Sequence, residues 1–318
     1  MTKPAYLALH ASGQLAKRAK KALAMLGRCV LCPRRCGVNR LSDERGFCLA
    51  GRLAPVAQAS LHFGEEAPLV GDRGSGTIFF AGCNLGCVFC QNADISRSLE
   101  GAVEAGPQEL AGAMLALKEQ GACNINLVTP SHVVPHILEA LDLAAEGGLD
   151  IPLVYNTSGY DALPALRLLD GVIDISMPDA KIWAPEIAGR LLGAPDYPER
   201  ARAAIKEMHR QTGDLVLNAQ GLAVRGLLVR HLVMPGGLAG TGEWMRFLAR
   251  DISPATYVNV MDQYRPCGRA ADFPEIGRPL EEGEWLEARR LAVSAGLTRL
   301  DERGEAFFPR LARMLAGT

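Results

Sequence analysis

The sequence has no excess of charge of either sign: 34 lysines and arginines stand against 35 aspartates and glutamates in 318 residues. That balance gives no reason to expect nucleic acid or a strongly charged membrane as a partner. No apolar run approaches membrane-spanning length. The first 18 residues also lack the apolar core of a secretion leader and run into Lys17, Arg18, Lys20 and Lys21, so a cytoplasmic protein without a membrane span is expected. The composition of a disordered chain is missing as well. With 48% hydrophobic residues the chain can form one large domain, or a barrel plus an appendage.

Against this even background, nine cysteines fall mostly into two tight clusters. Without a secretion signal, that clustering argues for metal ligation in a reducing compartment rather than for disulfides. Cys83, Cys87 and Cys90 are spaced C-x3-C-x2-C directly after the apolar run 77–80. Three thiolates can wrap one soft metal centre, yet they cannot close a four-coordinate site. An iron–sulfur cluster held by three cysteines keeps one iron free for a substrate or cofactor. The bland alternatives are a zinc knuckle with a distant fourth ligand, or three buried cysteines.

The other cluster, Cys29, Cys32, Cys36 and Cys48, has four ligands with turn residues between them. Four soft donors complete a closed site, suited to a structural or electron-relaying role. Zinc and a second iron–sulfur cluster both fit, and four cysteines without metal remain the alternative.

Residues 13–27 carry Leu15, Ala19, Ala22, Leu23 and Leu26 at near-helical spacing and predict a basic amphipathic helix. Residues 51–76 are rich in Gly and Pro and read as short strands and turns. This divides the chain into a helix and Cys-rich metal-binding segment, 1–76, and a main domain with a C-terminal extension, 77–318. From Thr77 onward, apolar runs at 77–81, 123–128, 151–155, 172–177, 227–234 and 257–261 alternate with helical patterns near 107–120, 133–146, 161–170, 198–212 and 242–250. The alternation predicts an α/β fold whose parallel sheet curls into a partial (β/α)6 barrel.

In such barrels the active site forms at the carboxyl ends of the strands. Those ends read as the cysteine loop, Thr129-Pro130-Ser131, Asn156 to Tyr160, Met177 to Lys181, Met234 to Gly237, and Asp262 to Pro266. Arg230 lies inside an apolar run and shares a strand face with Leu228, Leu232 and Met234. A guanidinium there needs an anionic partner, either a bound carboxylate or a structural Asp or Glu.

Cys83, Cys87 and Cys90, with Phe89 before the last cysteine, resemble the signature of the radical S-adenosylmethionine superfamily. Most of the chain is similar to its pyruvate formate-lyase activating enzyme-like group with an N-terminal Cys-Pro-Arg-x-Cys segment. The similarity runs through Cys32 to Arg40, Gly46-Phe47-Cys48, Asn124 to Pro130, Tyr155 to Tyr160, Pro178 to Lys181, Arg230 to Gly236 and Gln263 to Pro266. The resemblance implies a 4Fe–4S cluster on Cys83, Cys87 and Cys90 that chelates S-adenosylmethionine and cleaves it reductively. The resulting 5′-deoxyadenosyl radical abstracts hydrogen from a substrate, the cofactor supplying the chemistry and the protein its orientation.

The resemblance further implies cofactor contacts at Phe89, Thr129, Ser131, Asn156, Ser158, Asp179, Arg230 and Tyr264. It also implies a monovalent cation near Asn156, Thr157, Met177 and Asp179, although Asn156 replaces an acidic residue there. Thr129-Pro130-Ser131 stands where the superfamily often has Gly-Gly-Glu, and Ser131 reads alternatively as a helix cap. Asp179 reads alternatively as a partner of Lys181.

Implied partners are a reductant such as flavodoxin or ferredoxin and a glycyl-radical enzyme as protein substrate. Residues 91–106 hold no cysteine, unlike activating enzymes with inserted clusters, so another protein, a peptide or a small molecule is equally open as substrate. The competing class is a noncatalytic iron–sulfur or zinc electron carrier.

Overall fold

Short apolar runs separated by helix-length segments can pair only side by side and in parallel. In a computed structural model that describes residues 3–301, all six expected runs do so. In chain order the strands are β1 Ala54–His62, β2 Ser75–Phe80, β3 Val103–Ala105, β4 Ile125–Val128, β5 Leu153–Thr157, β6 Ile175–Pro178, β7 Val216–Leu217, β8 Ala223–Leu232, β9 Tyr257–Met261 and β10 Arg299–Leu300. The sheet is mixed and largely parallel, ordered β10-β9-β8-β6-β5-β4-β2-β1-β3, with β7 antiparallel to β8. From β2 to β9 each strand pairs in parallel with the next in that order.

Helices cross between these strands at Pro107–Glu119, Val134–Glu146, Leu163–Leu168, Tyr197–Thr212 and Thr241–Phe247. They pack the main hydrophobic core against one face of the sheet. His231 points into that layer, bonded to Thr241. Residues on the other face follow a simple vertical rule set by the period of two. Near the amino ends Val154, Ile175, Met177 and Leu228 form a small apolar core with Leu69. Higher on the same faces stand Asn156, Asp179, Arg230 and Asn259, which line a cavity.

Several boundaries move. The fourth run starts at Ile175 instead of Val172, because Val172 closes a turn onto the Leu169 carbonyl. The fifth begins earlier, at Ala223, and passes through Gly226 at φ +123°, where the 214–215 backbone packs too close for any Cβ.

The N-terminal part is more ordered than its Gly/Pro content suggests. The expected helix is Gln14–Ala24, preceded by Tyr6–Ala11, and both pack on Val134–Glu146. In place of short strands and turns, residues 51–76 hold the nine-residue β1, antiparallel to β2, and a helical turn Ala67–Val70. The expected boundary at 76/77 therefore cuts through a hydrogen-bonded ladder. The end of the expected C-terminal extension, from residue 302, lies outside the described residues. Among the described residues no helix is long and apolar enough to cross a membrane.

Candidate functional site

The carboxyl ends of the parallel strands open into a cavity of about 750 Å³, with Cys83, Cys87 and Cys90 in its wall. The cysteine loop follows β2 and is held by its backbone: the Gly86 and Val88 amides donate to the carbonyls of Leu192 and Leu191. The Cys83 sulfur accepts from the Leu85 amide at 3.3 Å, and Ser96 Oγ donates to the Cys90 sulfur at 3.4 Å. Burial pushes the Cys83 thiol up to about 11 and the Cys87 thiol up to about 12, while Lys181 works in the opposite direction. Ionising such thiols calls for a metal's charge.

Arg230 points into the cavity but already has acidic partners. Its Nε and Nη2 donate to the Glu66 carboxylate at 2.7 Å each, and Nη2 also donates to Glu65. Its Nη1 has only a 3.5 Å contact with Asn156 Oδ1. Burial opposes the charge of Arg230, but Glu66 and Glu65 outweigh it. Burial likewise favours protonation of Glu66, yet Arg230 and Asn259 hold its carboxyl below the usual range. Of the two readings of Arg230 the structure shows the ion pair with Asp or Glu, and it also places the residue in the cavity wall.

Lys181 pairs with Asp179 at 2.6 Å. Burial disfavours its ammonium, and Asp179 overrides the burial. The cavity wall thus carries four carboxylates, Glu65, Glu66, Asp179 and Asp262, against two permanent cations, Lys181 and Arg230. A ligand of net positive charge, carrying its own carboxylate, suits that balance.

Of the other expected residues, Phe89, Thr129, Asn156 and Ser158 line the cavity. Thr129 does so in the left-handed region at φ +60°, an uncommon and strained choice for a β-branched residue. Ser158 gives its carbonyl to the Tyr197 hydroxyl at 2.9 Å. Two residues stand outside the wall. Ser131 is buried behind it, its Oγ 3.0 Å from Thr157 Oγ1, and it does not cap the following helix. Tyr264 spends its hydroxyl on the Ile276 carbonyl at 2.7 Å and leans its ring on Phe89 with centroids 6.2 Å apart. Met177 belongs to the apolar core below the cavity.

Sequence reasoning passed over Glu65, Glu66 and Asn259. The signal was two adjacent acids ahead of an apolar Leu69-Val70 pair inside a Gly-rich stretch, which is how a strap that dips into a core looks.

Cys29, Cys32, Cys36 and Cys48 line one second, small pocket together with Arg34, Arg40, Phe47, Asn84 and His132. Burial raises the Cys32 thiol to about 12. His132 donates from Nε2 to the Ala81 carbonyl at 3.0 Å, and burial pushes it down to about 3, so the ring is neutral. This segment clamps the other cysteine loop from behind. Arg34 Nε donates to the Asn84 carbonyl at 2.9 Å. Gly82, at φ +74°, lies under the Cys48 carbonyl, where a Cβ would stand 2.1 Å from the oxygen.

Gly82→Ala should therefore lift the two cysteine segments apart, lower the melting temperature and speed the reaction of Cys48 with a thiol reagent. An unchanged melting temperature and labelling rate would show that the close approach carries no constraint.

As a fit to metal, both donor sets are soft sulfur, matched to iron–sulfur clusters or zinc. The loop cysteines border a cavity with room for a cluster and an organic ligand. Among the described residues no three His, Cys, Asp or Glu donors are drawn together tightly enough for a bare metal ion.

No protein-family model matches the chain. The chain is 35% identical over 276 residues to the uncharacterized protein MJ0674 of Methanocaldococcus jannaschii, a match covering 85% of this chain and 75% of that protein.

Proposed function

We propose a function from the premise that this chain belongs to the same family as the uncharacterized protein MJ0674 of Methanocaldococcus jannaschii: it is a radical S-adenosylmethionine enzyme on a partial (β/α)6 barrel. The observation that carries the reading is the three-cysteine loop opening into a large cavity whose walls are net acidic. Cys83, Cys87 and Cys90 would hold a 4Fe–4S cluster, which would supply the electron for cleavage of S-adenosylmethionine to methionine and a 5′-deoxyadenosyl radical able to take hydrogen from a substrate.

The chain's own residues bind and orient. S-adenosylmethionine carries a sulfonium, an ammonium and a carboxylate, and so matches a wall of four acids and two bases. Arg230 Nη1, the donor left with only a weak partner, and Lys181 face a carboxylate. Asp262, the wall acid outside the pairs Arg230–Glu65, Arg230–Glu66 and Lys181–Asp179, is the first available to an ammonium, with Asp179 shared from its pair, a role left open by Thr129-Pro130-Ser131. The side-chain oxygens of Asn156 and Asp179 can ligate a monovalent cation as well, with one charge fewer than a pair of acids. Phe89 offers an apolar face to the adenosine. Ser131 and Tyr264 act from behind the wall, as positioning residues.

The partial barrel leaves a side through which a protein loop can reach the cavity, which suits a glycyl-radical enzyme, another protein or a peptide; a small molecule fits too. A flavodoxin or ferredoxin would supply the electron.

The test is anaerobic reconstitution with iron and sulfide, reduction with dithionite, and chromatography for 5′-deoxyadenosine. Product is expected. An intact loop cluster without product would return the protein to the class of electron carriers.

A further inference from the structure

We propose that Cys29, Cys32, Cys36 and Cys48 hold an iron–sulfur centre that receives hydrogen bonds from Arg34 and Arg40 and is the port through which electrons reach the Cys83–Cys90 loop. The port role rests on the radical chemistry proposed above; the centre itself does not.

The charge of the pocket comes first. Arg40 is fully buried. Its Nε donates to the Gly51 carbonyl at 2.9 Å and Nη1 to the His132 carbonyl at 2.7 Å, while Nη2 is buried without a partner. Nη2 of Arg34 is likewise buried and unpartnered. These two guanidiniums are the permanent charges of the wall, which includes no carboxylate. A buried cation left without an anion is very costly. The four cysteines that share the pocket with Arg40 and Arg34 would resolve that cost as thiolates on a metal, because such a centre is net anionic and its sulfurs accept N–H bonds.

The location then chooses the kind of centre: four cysteines gathered in one pocket between the protein surface and the loop suit a redox-active cluster, because zinc has no redox chemistry and could pass no electron. One rim reaches solvent at the exposed Cys36 and Phe47. The opposite wall is Asn84, one peptide bond from Cys83. A centre so placed stands between an external donor and the cavity. Held there, the centre would take one electron from a reduced flavodoxin- or ferredoxin-type donor and give it to a cluster on the loop, with no bond formed or broken.

The test uses the full chain carrying Cys83→Ala, Cys87→Ala and Cys90→Ala, reconstituted anaerobically with iron, sulfide and zinc present together. Bound iron and sulfide with an electron paramagnetic resonance signal on reduction are expected; zinc alone, or no metal, overturns the centre. Adding Arg40→Met should move the midpoint potential to more negative values, and an unmoved potential overturns the hydrogen-bond assignment. Arg34→Met gives the same readout if Arg40→Met does not fold.

For the port, Cys36→Ala in the otherwise native chain should lose reduction of the loop cluster by flavodoxin and keep reduction by dithionite. Equal reduction by both overturns the port. Should the native chain make no 5′-deoxyadenosine while the triple variant still holds its cluster, the radical reading fails and the centre stands.

Discussion

Cys87→Ala should abolish iron at the loop and end 5′-deoxyadenosine formation, while the amino-terminal centre keeps its metal. Losing a partner behind a metal ligand already costs about 10- to 100-fold in affinity or activity, so losing one of three ligands should cost at least about a thousandfold. The cavity offers no substitute thiolate, since Cys83 and Cys90 are the remaining cysteines in its wall and Met261 brings only a neutral thioether. Cys123→Ala is the control. Its sulfur contacts the Val70 carbonyl at 3.4 Å, outside both cysteine groups, so iron content and product should match the parent. Iron and product surviving in Cys87→Ala would remove the loop from the chemistry.

Arg230→Met should be the most destabilising single change. It leaves Glu65 and Glu66, whose side chains are 6% and 1% exposed, as like charges with His62, 3.5 Å from Glu65, as the basic neighbour that remains; breaking a buried pair in this way costs about 3–5 kcal/mol. The pH dependence carries a sign that distinguishes this from loss of packing. In the parent, Glu66 titrates below its ordinary value, so its contribution is present above the unfolded value, about 4.3, and is lost as pH falls through the folded value.

Without Arg230, burial, the largest influence on Glu66, is opposed only by the bonds from Asn259 and from its own backbone, and its folded value rises above the unfolded one. The native state then binds the extra proton first. The melting temperature of Arg230→Met should therefore climb as pH is lowered from about 7 towards 5, a window in which this pair gives the parent no such gain. Parallel curves for the two proteins would contradict the account. Arg230→Lys should recover little, because an ammonium cannot reproduce the fork that spans Glu66.

Much of this was legible in the chain. Six apolar runs with helix-length spacers dictate parallel neighbours, and the loop after the first of them was bound to face the same pole as Asn156, Asp179 and Arg230. The illegible part lay in residues 51–76. Strand β1 carries Ala57, Gln58 and Ser60, weak strand formers by composition, and exists through its ladder with β2. Glu65 and Glu66 gave no periodic signal because their partners are on β8 and β9. Tertiary distance hid them, and the same distance left Arg230 with two open readings. The placement of Ser131 and Tyr264 was hidden for a different reason: a residue can lie in the expected loop and still give its hydroxyl to a protein partner, Thr157 for Ser131 and the Ile276 carbonyl for Tyr264.

The strap from Glu65 to Leu69 also bears on how the protein matures. Its bonds from Glu66 to Arg230 and Asn259 span 164 and 193 residues. Contacts of that sequence separation form late, after large loops have closed. The loop cysteines therefore leave the ribosome long before β8 and β9 can complete the cavity wall around them. Biogenesis thus includes an interval in which the thiols are accessible to iron and sulfide, and slow metal supply would leave an apo chain that closes around an empty cradle.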